Sequence, residues 1–327
     1  MNRKVILGID GGGSYTRVAA VDEQGRLIAH VKYHGAASMR KDVNAARNVH
    51  CAIAQTLDKA GIAADDVLGL AAGVAGYDSD ADLSWVQTLT DMEGLVCPKI
   101  HVNDSVAAHA GALLGKPGII AISGTGSNIL GRTESGQYIF NGNFDHYANT
   151  AARYLVFNFV YRLLAGEADS TDDEVVCQLL EHLDMADLRS LAEFGAEGFG
   201  ADRQKRSLLF GTFCPKLTEA AQRGSHLAQA VCEQGAAELD MGIKLIGSCF
   251  EGDEIPVAFI GSVINSQAIQ GPLLKRLDDS GCQRKRYFLT EPALPPELGA
   301  VVLALSELHI PLTESIIDNL KKSAAAM

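Results

Sequence analysis

The sequence predicts a duplicated α/β fold in which two similar lobes face each other across a cleft. Two observations carry that expectation. The order strand, strand, strand, helix, strand, helix, strand, helix can be read twice along the chain, and a repeat of this size implies two related units. Each copy of the first strand also ends in a glycine-rich turn, Gly11-Gly12-Gly13 in one half and Gly124-Thr125-Gly126-Ser127 in the other. The lobes are expected at 1–115 and 116–309, with a helical insertion at about 151–250 in the second and a final helix at about 310–322 packing back on the first. A cleft between lobes is a favoured place for a ligand.

Three strands open the first half, at 5–9, 16–21 and 27–33. The turn Asp22-Glu23-Gln24-Gly25 between two apolar runs argues for antiparallel pairing. From 41 to 60 the apolar period lengthens to that of a helix, with Ala45, Val49, Ala52, Ile53 and Leu57 on one face. A buried strand at 67–74, a helix at 80–93, a strand at 99–102 and a helix at 105–114 complete the half. The second half repeats the order with strands at 118–123, 128–132 and 137–140, helices within 151–249, a strand at 257–260, a helix at 266–277, a strand at 286–289 and a helix at 298–309.

Composition narrows the function classes. The chain has 327 residues, 47% hydrophobic and 21% charged, which is ordinary for a globular protein. A formal charge of −12 and a pI near 5.2 argue against nucleic-acid binding through a broad basic face. The basic cluster Arg284-Lys285-Arg286 reads as a solvated strand edge. Seven cysteines at 51, 97, 177, 214, 232, 249 and 282 form no C-x-x-C pair, which suits reduced thiols and suggests neither a zinc site nor a redox dithiol. No apolar run is long enough to span a membrane, and the N-terminal apolar stretch ends at Asp10, so a cytoplasmic location is expected.

Four stretches fall at strand ends that a duplication would bring to one cleft. In Asp10-Gly11-Gly12-Gly13-Ser14-Tyr15-Thr16, consecutive glycines let backbone N–H groups approach an anion. Asp10 with the hydroxyls of Ser14 and Thr16 suits a triphosphate and its divalent cation. The same residues would also make a tight hairpin. Gly124-Thr125-Gly126-Ser127 repeats the turn, and a matching pair is more specific than one. At Asn103-Asp104 a strand passes into a helix. Either residue could cap that helix, and Asp104 could in addition be a general base toward a substrate hydroxyl. Gly261-Ser262 lets a flat base lie against the backbone, or is an ordinary strand-to-helix turn. Gly73 and Gly76 mark the matching strand end of the first half, where substrate would sit.

Together with Pro296-Glu297-Leu298-Gly299-Ala300, these stretches resemble the actin-like ATPase superfamily, and within it the BadF/BadG/BcrA/BcrD ATPase family that includes N-acetylglucosamine and glucosamine kinases. The resemblance runs from about 4 to 308. It implies a duplicated ribonuclease H-like fold and an ATP-dependent, magnesium-requiring kinase acting on a small sugar-like substrate, an amino sugar or its N-acetyl form. It further implies Asp10 in the magnesium shell, Gly11, Gly12, Gly13, Ser14, Thr16, Gly124, Thr125, Gly126 and Ser127 on phosphates, Gly261 and Ser262 at adenosine, Asp104 as base, and a homodimer.

The chain departs from that family on the substrate side. The family's asparagine after the third strand is replaced within Gly35-Ala36-Ala37-Ser38. Its Gly-Asp-Glu-Gly-Ser segment is replaced by Ala148-Asn149-Thr150-Ala151-Ala152, which removes both acids. Ser38, Gly76, Asn103, Asp104, Asp145 and Asn149 are therefore the expected substrate contacts. Asp145 and His146 either replace the missing groups or belong to a solvated loop. Two further readings keep the ATP site without sugar chemistry: a nucleotide-binding sensor, and an ATPase that drives a partner protein. The iron–sulfur activators of the same family are set aside, because no cysteine lies near Gly124.

Overall fold

The computed structural model describes residues 4–278 and 285–327. Cys282 and Arg284 lie outside the described residues. The chain divides into two compact units, Met1–Pro117 with Glu291–Met327, and Gly118–Thr290.

The first unit is built on a five-stranded sheet of β1 (Val5–Gly11), β2 (Tyr15–Val21), β3 (Leu27–His34), β4 (Val67–Val74) and β5 (Lys99–Asn103), in the order β3-β2-β1-β4-β5. β1 is antiparallel to β2 and parallel to β4, and it is buried along its whole length. The two-residue period of a strand sends Val5, Leu7 and Ile9 to one face, into a core with Val49, Ile53 and Leu57 of helix α1 (Ala45–Ala60). Ile6, Gly8 and Asp10 take the other face. The helix expected at 80–93 is shorter, with α2 spanning only Leu83–Thr88. The Thr88 hydroxyl donates to the Trp85 carbonyl, and the chain then turns inward to bury Leu89 and Leu95.

On the second face lie α3 (Asp104–Leu113) and, from the far end of the chain, α10 (Pro296–Glu307). This placement corrects the expected boundary, since the helix at 298–309 was assigned to the second lobe. Small residues explain it. A Cβ on Gly8 would sit 2.1 Å from the Glu297 carbonyl oxygen, and one on Gly299 would sit 2.0 Å from that of Ala107, so α10 meets β1 and α3 backbone to backbone. Leu298 and Val301 then bury against Ile6. α11 (Glu314–Ala325) packs by the turn before β3: the Ser323 hydroxyl accepts from Leu27 N–H and donates to the Gly25 carbonyl.

The second unit repeats the topology. β6 (Gly118–Ser123), β7 (Ser127–Arg132), β8 (Tyr138–Phe140), β9 (Glu254–Ile260) and β10 (Arg286–Leu289) form a sheet in the order β10-β9-β6-β7-β8. β6 is antiparallel to β7 and parallel to β9, so each strand has a counterpart in the first sheet. Between β8 and β9 run α4 (Ala152–Leu164), α5 (Asp173–His182), α6 (Leu188–Ala196), α7 (Arg203–Arg223) and α8 (His226–Gly247), followed after β9 by α9 (Gln267–Asp278). Their core is aromatic, with Phe159, Phe210 and Phe213 fully buried. The cysteines among the described residues are free thiols, and burial pushes Cys214 and Cys232 up to about 12. No helix among the described residues is long and apolar enough to cross a membrane.

Candidate active site

The turn between β1 and β2 is a tight hairpin that leaves some of its backbone donors open. Gly12 N–H donates to the Tyr15 carbonyl at 3.0 Å, closing a tight hairpin. The N–H groups of Gly13 and Ser14 have no partner among the described residues, and Ser14 is exposed, so these donors remain open to an anion. Thr16 differs from expectation. It is fully buried and its hydroxyl donates to the Gly35 carbonyl at 2.9 Å, tying β2 to the end of β3 and not pointing into the turn.

Asp10 lies on the sheet face toward α3 and α10. Its cross-strand partner Arg17 binds one carboxylate oxygen at 2.6 Å, leaving Oδ1 outside that pair. Burial, reinforced by the Glu297 carboxylate and to a smaller extent by Asp104, still pushes its pKa from 3.8 up to about 6 against the opposing pull of Arg17. Glu297, in the first turn of α10, is 4% exposed. Its Oε1 is 3.2 Å from His30 Nε2, while its Oε2 has no hydrogen-bond partner among the described residues. The site therefore carries more negative charge than its protein cations neutralise, which fits a divalent cation. Among the described residues no three His, Cys, Asp or Glu side chains could hold a metal by themselves. A single carboxylate suits magnesium, which keeps much of its shell for water and phosphate oxygens.

Asp104 begins α3, and Gly73 of β4 lets the helix approach: a Cβ there would lie 3.3 Å from Asp104 Cα and 2.6 Å from Ala107 Cβ. Asn103, and not Asp104, has the N-cap backbone geometry. Its Oδ1 accepts from Ser105 N–H at 3.0 Å and from Ser105 Oγ at 2.5 Å, and its Nδ2 donates to the Tyr77 carbonyl and to Asp78 Oδ1. All four positions of that amide are used internally, which closes off the substrate contact expected of it. Asp104 Oδ1 accepts from Ser105 N–H at 2.9 Å. Burial first, then the nearby Asp78, raises its pKa, while the Ser105 hydrogen bond and the Lys41 charge oppose the shift. Ser38 is buried beside Gly76, whose Cβ would lie 2.9 Å from Ser38 Oγ. Arg40 closes this side by pairing with Asp78 at 2.7 Å and Asp82 at 2.9 Å.

In the second unit Gly124 N–H donates to the Gly126 carbonyl at 2.9 Å, leaving the N–H groups of Thr125 and Gly126 without partners among the described residues. The turn is brought against Gly261-Ser262. A Cβ on Gly124 would be 3.5 Å from Gly261 Cα and 3.6 Å from Ser262 N, so the phosphate and adenosine candidates are neighbours. The segment after β8 supports the same turn: Ala152 N–H donates to the Gly124 carbonyl, Ser123 Oγ to the Thr150 carbonyl, and Arg153 to the Thr125 carbonyl. Asn149 lines a pocket of about 760 Å³ with Tyr154, Phe157, Tyr161, Phe199 and Glu238. Thr150 is fully buried instead of lining it. Asp145 is exposed and its side chain makes no hydrogen bond or ion pair among the described residues, while His146 turns inward, 3.5 Å from Glu238. His146 thereby reaches a residue that lines the same pocket as Asn149, whereas Asp145 does not line it.

In the sequence, Arg17 and Lys41 carry no sign of a site role, and Glu297 stands out only within the Pro296–Ala300 stretch, with no sign of its place beside Asp10. Asp10 and Arg17 could have been paired from antiparallel register, whereas no local signal ties Asp10 to Glu297 across the length of the chain.

A ribonuclease H-like sheet present twice, each copy ending its first strand in a glycine turn, defines the actin-like ATPase class of fold. The chain belongs to the BadF/BadG/BcrA/BcrD ATPase family, whose profile matches residues 7–304. It is similar to a Vibrio cholerae glucosamine kinase, 24% identical over 72% of this chain and 78% of that protein. It is also similar to a Dictyostelium discoideum N-acetyl-D-glucosamine kinase, 26% identical over 94% and 99%. The crystal structure of a proposed N-acetylglucosamine kinase from Chromobacterium violaceum superposes with a TM-score of 0.71 at 21% identity, covering 92% of this chain and 99% of that one.

Proposed function

We propose that the protein is an ATP-dependent kinase that transfers the γ-phosphate to a hydroxyl of a small sugar, an amino sugar or its N-acetyl form, with Asp104 as general base. The observation that carries this reading is Asp104, a mostly buried carboxylate beside the glycine-turn strand, with a pKa raised by burial and one oxygen taken by Ser105 N–H. Raised basicity is what accepting a hydroxyl proton requires. The family is one of ATPases, and the relatives described above are named as amino-sugar kinases, which supports both the nucleotide and the acceptor.

In this mechanism the N–H groups of Gly13 and Ser14, and those of Thr125 and Gly126, hold phosphate oxygens. Gly261-Ser262 borders the adenosine. Magnesium bound through Asp10 would supply neutralisation of the phosphate charge. Arg17 holds the Asp10 carboxylate in one orientation. Ser38 and Gly76 border the acceptor, and Asn103 fixes the α3 terminus so that Asp104 meets the attacking hydroxyl. Asn149 and Thr150, where the family resemblance places acids, bear on which acceptor is taken. The same reading makes the protein a cytoplasmic homodimer, which light scattering on the eluted protein checks for the dimer.

The test is ADP release measured across hexoses, hexosamines, N-acetylated amino sugars and anhydro sugars. Release that depends on an amino sugar supports the proposal. Equal release without any small acceptor supports a partner-driving ATPase, and nucleotide binding with no release at all supports a sensor.

A further inference from the structure

Lys41 is used by none of these roles, yet its side chain runs across the first glycine turn. A Cβ built on Gly13 would lie 2.6 Å from Lys41 Nζ, 3.0 Å from its Cδ and 3.1 Å from its Cε, so the end of the lysine side chain lies directly against the bare Gly13 backbone. The backbone builds this placement. Ala37 N–H donates to the Gly12 carbonyl at 3.0 Å, laying the chain along the turn. It then bends at Ser38, whose carbonyl accepts from Lys41 N–H at 2.9 Å and from Asp42 N–H at 3.0 Å. The far side of the bend is pinned because Asp42 accepts from Asn44 N–H and Asn48 Nδ2, each at 2.8 Å. That is also why α1 starts at Ala45 and not at 41, as its sequence period suggests.

The direction of the side chain matters because of what flanks it. On one side are the free N–H groups of Gly13 and Ser14, and on the other the Lys41 charge acts on Asp104. Among the described residues no hydrogen bond or ion pair takes the ammonium, whereas neighbouring Arg40 is held by Asp78 and Asp82. An ammonium lying on a turn with open anion donors, with its charge felt by a general base, suits a ligand group that carries negative charge.

We propose that Lys41 is the cation that holds the transferred phosphoryl group, its ammonium donating to γ-phosphate oxygens between the Gly13 turn and the hydroxyl that Asp104 deprotonates. This inference rests on the kinase reading and adds a catalytic residue to it. In the step itself the acceptor oxygen forms a bond to the γ-phosphorus. The bond from that phosphorus to the β–γ bridging oxygen breaks and leaves its electron pair on ADP. The acceptor proton passes to Asp104. Lys41 stays protonated throughout and transfers nothing, so its contribution is charge and position.

The experiment compares the full-length parental protein with Lys41→Met and Lys41→Arg, exposed positions at which folding is checked by melting temperature. Binding of magnesium-AMPPNP and magnesium-ADP is measured by calorimetry without acceptor, and turnover with the best acceptor of the screen. K41M should bind AMPPNP about 10-fold more weakly while ADP affinity stays within about twofold, since only the former carries the γ-phosphate. Its kcat should fall about 100-fold with acceptor KM near the parental value, and K41R should recover most of the AMPPNP affinity. Equal losses for AMPPNP and ADP, or a parental kcat in K41M, overturn the role of Lys41. Absence of acceptor-dependent release in the parental protein overturns the kinase reading instead, and the AMPPNP-to-ADP contrast separates that failure from this one.

Discussion

Asp10 gathers the site's electrostatics into one side chain. It is paired with Arg17 at 2.6 Å, faces the buried carboxylate of Glu297, and has its pKa pushed up to about 6. A folded-state pKa above the ordinary 3.8 means that the fold binds this proton more tightly than the unfolded chain does. The stabilising contribution is therefore complete below pH about 4 and is lost as pH rises through about 6. At neutral pH the ionised group costs about 2–3 kcal/mol when no cation is bound. Asp10→Asn, which keeps the shape and removes the charge, should raise the melting temperature of the nucleotide-free protein at pH 7.5 and leave it unchanged at pH 4. Thermal unfolding at the two pH values checks this, and a lower melting temperature at pH 7.5 contradicts it. D10N should also lose the gain in melting temperature that magnesium-ATP gives the parental protein. In the parental protein, affinity for magnesium-nucleotide should decline as pH falls below about 6, because the cation must then displace a proton from Asp10.

At the scale of elements, the second-unit turn depends on how β6 and β9 end together. Gly261 has φ 109°, and a Cβ there would come within 2.3 Å of the Ser123 carbonyl oxygen. That carbonyl cannot retreat, because it accepts from Val263 N–H at 3.1 Å and Ile264 N–H at 3.2 Å. Gly261→Ala should therefore cost about 2–4 kcal/mol and weaken ATP binding, as urea unfolding and calorimetry would register. Unchanged stability would mean that the turn relaxes freely. Asn103→Ala removes the α3 cap together with the bonds to Tyr77 and Asp78, so a loss of about 1–2 kcal/mol is expected, with turnover reduced through displacement of Asp104.

Elements of this kind were largely legible beforehand, because strand period and glycine turns are local. The strands at 67–74, 118–123 and 286–289 fall where the sequence expects them. What escaped was decided by partners distant in sequence. Thr16 looked like a phosphate ligand until Gly35 claimed its hydroxyl, and α10 looked like part of the second lobe until Gly8 and Gly299 admitted it to the first unit. The charge of Glu297 on Asp10 could not be read from either segment alone.

For the molecule as a whole, two sheets of one topology present different candidate groups. The first unit holds the candidates Asp10, Asp104, Ser38 and Gly76, and the second holds the Gly124 turn, Gly261-Ser262 and Asn149. The duplication accounts for the fold and for the paired glycine turns, but not for the acceptor, which rests on side chains that differ between the halves. The claim that unites these parts is that Asp104 accepts a proton from a substrate hydroxyl during phosphoryl transfer. Its most direct test is turnover of Asp104→Asn with the best acceptor, alongside its affinity for ATP. We expect kcat to fall by about 10²–10⁴-fold with ATP affinity nearly intact. An Asp104→Asn variant that phosphorylates the acceptor at the parental rate would contradict the account.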